Sequence, residues 1–225
     1  VPKRESPAEP SRPLRADAAQ NRQQILDAAR RTFAERGLGV RLDEIADVAG
    51  VGVGTVYRRF KDKDELIGVL FEQSMSEVVA LAREVLEQDT DGTGLRRFLD
   101  EAFRRMAADR GLQQILTSAP TAAHDAFESS RAQLEPLIAE LADQAHRAGR
   151  LRPDLGHGDL PVLQIMLSAA ILSTLSTRED LWARYVTLVL DAIEIAPPSG
   201  RRLPASAPSS HEVASILEQW HRVSK

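Results

Sequence analysis

Cysteine is absent from this chain of 225 residues. That excludes disulfides, thiol nucleophiles and cysteine-ligated metals, and it fits a reducing, cytoplasmic setting. Aromatic residues make up only 4%. No long apolar run is present: the longest, from Leu160 to Leu175, is interrupted by Gln164, Ser168, Ser173 and Thr174, too short and too polar to span a bilayer. No basic-then-apolar leader opens the sequence, so secretion is not expected. The histidines (His124, His146, His157, His211 and His221) lack metal-ligand spacing, and no glycine-rich loop follows a strand. Asp62, Asp64 and Glu65 read as first-turn acids favoured by a helix dipole. His157-Gly158-Asp159 reads as a turn with an N-cap aspartate. No catalytic constellation emerges, and neither a cofactor nor a metal is expected.

What remains is an ordinary mixture, 43% apolar and 28% charged, with a net charge of −4. The charge is unevenly spread. Residues 1–70 hold 13 Lys/Arg against 11 Asp/Glu, whereas the remainder holds 16 against 22. A mildly positive front on an acidic back suits a small nucleic-acid-binding head on a body that does not touch nucleic acid.

Ala, Leu and Arg dominate and β-branched runs are few, which predicts an all-α fold. Pro2, Pro7, Pro10 and Pro13 mark residues 1–15 as a disordered tail. Ile25, Ala29 and Phe33 then recur at helical spacing in a helix over 16–36, with Gly37 as its stop. Two short helices, 42–49 and 53–60, flank Gly50-Val51-Gly52. A long one over 63–88 carries Ile67, Leu70, Phe71, Val78, Leu81 and Val85 at three- and four-residue spacing. Further helices are expected over 94–109, 111–118, 121–149, 159–176 and 178–195. The prolines from Pro197 to Pro208 make residues 196–225 a loose tail ending in a short helix at 210–222. The domains expected are a head at 16–62 and a body at 63–195.

Residues 42–61 read Leu-Asp-Glu-Ile-Ala-Asp-Val-Ala-Gly-Val-Gly-Val-Gly-Thr-Val-Tyr-Arg-Arg-Phe-Lys. A helix-turn-helix needs a small residue where its helices cross, supplied by Ala46, and a turn residue tolerating positive φ, supplied by Gly50. Ile45, Ala49, Val51 and Val56 would lock the pair, so the second helix projects into a major groove about 12 Å wide. Gly52, Val53 and Gly54 keep its start slim. Thr55 and Tyr57 offer hydroxyls to phosphates, Arg58 reaches a base edge or a phosphate, and Arg59 adds charge. Lys63 opens the next helix, where free N–H groups and a cation would jointly hold a phosphate. The bland alternative makes Tyr57 and Phe60 core residues.

The run from Asp43 to Leu66, with its Ala-Gly turn, Gly-Thr-Val-Tyr stretch, Phe60 and Lys63, resembles the signature of the tetracycline-repressor (TetR) family. The resemblance implies a three-helix DNA-binding domain joined to a helical ligand-binding and dimerisation domain. By that likeness the chain is a homodimeric regulator, most often a repressor, that binds palindromic operator DNA and answers to a small-molecule effector. Thr55, Tyr57 and Lys63 match phosphate-contacting positions, and Val53, Gly54 and Arg58 match base-facing ones. Family members often cap the first motif helix with Ser or Thr; here Val40-Arg41-Leu42 stands instead. Either Arg41 replaces the hydroxyl contact with a charged one, or Asp43 shifts the cap.

The helices over 159–176 and 178–195 are apolar on more than one stripe, so each must be buried on more than one side. The resemblance implies a four-helix dimer interface there, with Leu163, Leu167, Ile171, Trp182, Tyr185 and Val189 as interface residues. It also implies an effector cavity within 94–149, for which Phe98, Phe103, Met106, Ile115, His124, Phe127 and Gln164 are the lining candidates. Two rivals stay open: a DNA-binding regulator without a ligand, and a helical enzyme or carrier whose front motif is only structural.

Overall fold

The computed structural model describes the backbone over residues 12–118, 121–175, 178, 180–194, 203 and 206–223. It describes side chains over 19–109, 111–115, 128–174, 178, 180–194, 203 and 206–216. Every regular element in these residues is a helix: α1 (Arg12–Arg36), α2 (Leu42–Ala49), α3 (Val53–Arg59), α4 (Lys63–Gln88), α5 (Gly94–Ala108), α6 (Arg110–Ser118), α7 (Thr121–Arg147), α8 (Asp159–Leu175), α9 (Leu181–Glu194) and α10 (Ser210–Val223). The α1 helix begins at Arg12, inside the segment expected to be a tail, so Arg15 and Pro13 are helical. Proline is tolerated there because a first-turn N–H has no intrahelical acceptor. Residues 1–11 lie outside the described residues.

Two apolar clusters share α4. Ile25, Leu26, Ala29 and Phe33 of α1, Ile45 and Ala46 of α2, Val56 of α3 and Phe60 form the first. The N-terminal half of α4 (Leu66, Ile67, Leu70, Phe71) closes this head core, together with Leu112 and Ile115 of α6. The second cluster joins Ala82 and Val85 of α4 to Leu95, Phe98, Phe103 and Met106 of α5, Leu141 of α7, Leu167 and Ile171 of α8, and Val186 and Leu190 of α9. A single helix therefore threads both cores, which ties the head's orientation to the body's packing.

Beyond α9, the described residues Leu203 and 206–213 make contacts with the body. A Cβ on Gly158 would lie 1.8 Å from the Pro208 carbonyl oxygen, and one on Gly156 would lie 2.4 Å from Ala207 Cβ. The Leu203 N–H donates to Asp154 Oδ2 at 2.7 Å, and Val213 of α10 is buried. Ser209 and Glu212 cap α10 reciprocally: the Ser209 N–H donates to Glu212 Oε2 at 2.8 Å and Ser209 Oγ accepts the Glu212 N–H at 3.4 Å. Glycine in the α7–α8 loop admits a backbone that proline composition alone suggested would stay free. Among the described residues, no helix is long and apolar enough to cross a membrane.

Candidate nucleic-acid interface

The turn between α2 and α3 is closed by backbone bonds alone. Gly50 has φ +68, its N–H donates to the Asp47 carbonyl at 3.2 Å, and the Val51 N–H donates to the Ala46 carbonyl at 3.0 Å. This is the paired bonding of a Schellman motif, which satisfies carbonyls that a helix end leaves free. Ile45, Ala46 and Val56 are fully buried and fix the angle between the two helices.

The α2 helix starts at Leu42 with Arg41 as its N-cap, so the cap does not move to Asp43. A guanidinium has no acceptor and cannot cap. The reverse half of the capping arrangement does the work: Glu44 accepts the Arg41 N–H at 3.0 Å. That N–H first, and the Arg36 guanidinium second, hold the Glu44 carboxyl below its usual range. The Arg41 side chain is three-quarters exposed and pairs with Asp43.

Along α3 the inward and outward residues separate cleanly. Val56 and Phe60 are fully buried, whereas Tyr57 is 53% exposed and Val53 38%. Gly54, Arg58 and Arg59 are exposed and Thr55 is half-buried. Phe60 is thus core, and Tyr57 is not. Arg58 folds back along its own helix, donating to the Gly54 carbonyl and to Thr55 Oγ1, both at 3.1 Å. No Cβ placed on Gly54 would meet any atom within 4 Å, so the start of α3 is slim on its outer side. The Arg22 guanidinium of α1 lies over the Phe60 ring, 5.2 Å from its centroid, in cation–π range. This adds a cation beside α3 that local spacing does not reveal, because Arg22 and Phe60 are far apart in sequence.

At the start of α4, Asp62 accepts the Glu65 N–H at 2.9 Å, and Glu65 accepts the Lys61 N–H at 2.6 Å. The Glu65 N–H is therefore taken, and the Lys63 side chain is held from outside α4. Its Nζ donates to the Leu38 carbonyl in the α1–α2 corner.

The residues expected around an effector do not gather in one place. Phe98, Phe103 and Met106 are buried together in the body core. Ile115 belongs to the head core, because α6 turns that face toward α1 and α4. Gln164 points outward. The side chains of His124 and Phe127 lie outside the described residues. Two clefts hold about 10 and 20 Å³, room for about one water each. One lies beside Arg96 and Glu194, the other between Phe33, Phe71 and Leu112 where α6 meets the head.

The expected interface residues divide as well. Leu167 and Ile171 are buried in their own subunit, and Leu163, Trp182 and Val189 pack half-buried on the same core. Of that set Tyr185 alone is exposed, at 40%. Met166 of α8 and Leu188 of α9 are both more than half exposed.

Comparison with known proteins accords with this architecture. Residues 25–70 match the family described as bacterial regulatory proteins, tetR family, and residues 90–194 match the SbtR-like transcriptional regulator C-terminal domain. A TetR transcription regulatory protein from Mycobacterium vanbaalenii is 35% identical, covering 81% of this chain and 100% of that one, with a TM-score of 0.58. The chain belongs to the TetR family. A fatty acid degradation regulator, FadR from Bacillus halodurans, is 25% identical over 76% of this chain and 94% of that one, with a TM-score of 0.59. A helix-turn-helix-type transcriptional regulator of Staphylococcus aureus strain USA300 is 38% identical over 63 residues, 28% of this chain. The match spans only 34% of that relative's length. Another, from strain RF122, is 33% identical over 73 residues, spanning 32% of this chain and 40% of the relative. The chain is a TetR-family transcriptional regulator with an N-terminal helix-turn-helix.

Proposed function

We propose that this regulator binds a palindromic operator as a homodimer, acts as a repressor, and is released by a small-molecule effector. The observation that carries the DNA reading is the split along α3 and its C-cap, where Val56 and Phe60 are fully buried while Tyr57 is 53% exposed. Val53, Gly54 and Arg58 are assigned to bases. Thr55, Tyr57 and Lys63 are assigned to phosphates, with Arg41 and Arg59 adding charge at the rim. Arg58 must leave its intrahelical bonds to reach a base edge, an exchange of hydrogen bonds of similar strength.

The dimer is assigned to the outer face of α8 and α9, centred on Met166, Tyr185 and Leu188. Large apolar side chains left exposed on these two helices are what a two-fold interface would cover, and such a dimer spaces its recognition helices about 34–36 Å apart. Leu188→Glu should leave each subunit folded but monomeric by sedimentation at micromolar concentration, because a charge would enter a desolvated contact. A dimer unchanged by that substitution places the interface elsewhere.

The effector is assigned to the body around Phe98, Phe103 and Met106, where helices must part to admit it. A coupling of about 1–3 kcal/mol is enough to change operator occupancy about 5–150-fold. The deciding experiment measures affinity for a duplex selected by the full-length protein from a random pool, across a salt series. Tyr57→Ala and Lys63→Ala should each weaken binding, with the slope of log K against log salt falling by about 0.9 for Lys63, one phosphate contact. Unchanged affinity and slope in both variants overturn the assignment.

A further inference from the structure

We infer that Gln114 of α6 is a positioning residue for DNA binding, acting from the body on Lys63 through the single residue Leu38. The inference rests on the assignment of Lys63 to a phosphate. Leu38 sits between Gly37 and Gly39, a stretch of chain with little stiffness of its own. Two polar contacts hold it. On one side Gln114 Oε1 accepts the Leu38 N–H at 2.5 Å, across 76 positions of sequence. On the other, the Leu38 carbonyl accepts Lys63 Nζ.

The corner is built for this contact. Gly37 has φ +75, and a Cβ there would lie 2.7–3.0 Å from the Gln114 amide, so glycine both makes the turn and admits the side chain. Gly111, one turn earlier on α6, lets that helix press on Phe33 of α1, where a Cβ would come within 2.9 Å. The neighbouring Gln113 faces the other way. It is buried and donates to the carbonyls of Met106 and Ala107 at 2.9 and 3.0 Å, at the end of α5. Adjacent glutamines thus fasten α6 to the body core on one side and to the head corner on the other. Met106, beside the assigned effector region, also touches Ser168 Oγ of α8 at 3.6 Å. A shift of α6 relative to α1 would move Leu38, and with it the seat of the Lys63 ammonium.

The test is a double-mutant cycle on the full-length protein with the selected duplex. Gln114→Met keeps length and removes the acceptor. It should weaken binding about two- to tenfold, the cost of ordering one long side chain at an interface. It should also make the salt slope shallower, which a general loss of stability would not do. Gln114→Glu keeps an acceptor oxygen and should restore both. In a Lys63→Ala background, Gln114→Met should have no further effect. An equal effect in both backgrounds, or none in either, overturns the inference while leaving the phosphate assignment standing. A Lys63→Ala variant with unchanged affinity and slope ends both. Hydrogen exchange on the unaltered protein checks the contact without any variant: the Leu38 amide should be protected, and fast exchange there refutes it.

Discussion

Gly54→Ala should make this protein more stable and a worse DNA binder, two effects of opposite sign from one methyl group. Gly54 is exposed and helical, its φ is not positive, and a Cβ there meets no atom within 4 Å. The folded subunit therefore resists the methyl nowhere, and replacing glycine in a helix gains about 0.5–1 kcal/mol. For a chain of this size that is about 2–4 °C in melting temperature per kcal/mol. In the proposed complex the same methyl would stand between the start of α3 and the groove floor. Forcing a methyl into a close-packed contact costs about 1–3 kcal/mol, or roughly 5–150-fold in affinity. Thermal unfolding monitored by circular dichroism gives the first quantity, and fluorescence anisotropy with labelled duplex the second. If the alanine variant binds DNA as tightly as the parent, the start of α3 does not press on the groove and Gly54 has no part in recognition. If its melting temperature falls instead, the reading of its backbone is wrong.

Gly50→Ala probes the turn by strain alone, because φ is +68 and a Cβ there would meet nothing within 4 Å. Urea unfolding should show a loss of about 1–2 kcal/mol, and no loss would mean the turn relaxes freely. The C-terminal segment should be held in a pH-dependent way. The Arg152 guanidinium first, and the Leu203 N–H second, bring the Asp154 carboxyl from 3.8 down to about 2. Since the folded value is the lower one, this anchor is complete above the ordinary carboxylate range and is lost as pH falls through about 2. Asp154→Asn should release the segment near neutral pH, read as faster proteolytic cleavage around Leu203; an unchanged rate would show that Asp154 does not hold it.

Much of this molecule was legible in local pattern. Helix bounds at Leu42–Ala49 and Lys63–Gln88 follow from apolar spacing and glycine stops. The turn at Gly50 was legible because only a few residue types accept positive φ. The tails were less legible. Pro13 suggests a breaker in the sequence, yet it falls in a first turn, where proline costs little. The docking of Ala207 and Pro208 depends on Gly156 and Gly158, distant in sequence, leaving room for a second backbone.

Burial in α8 shows where sequence reasoning stops. Apolar residues surround most of that helix, so its pattern cannot say which stripe faces its own subunit; the fold turns Leu167 and Ile171 inward and leaves Met166 outside. The polar contacts at the head–body junction, Gln114 to Leu38 and Lys63 to Leu38, join residues 76 and 25 positions apart. Short-range spacing determined the helices, the turn and the outward residues of α3, because those depend on backbone conformation within a few residues. Tertiary structure decided which apolar stripe was hidden, where Ile115 belonged and what held Lys63, because each of those is a contact between segments that sequence order does not bring together.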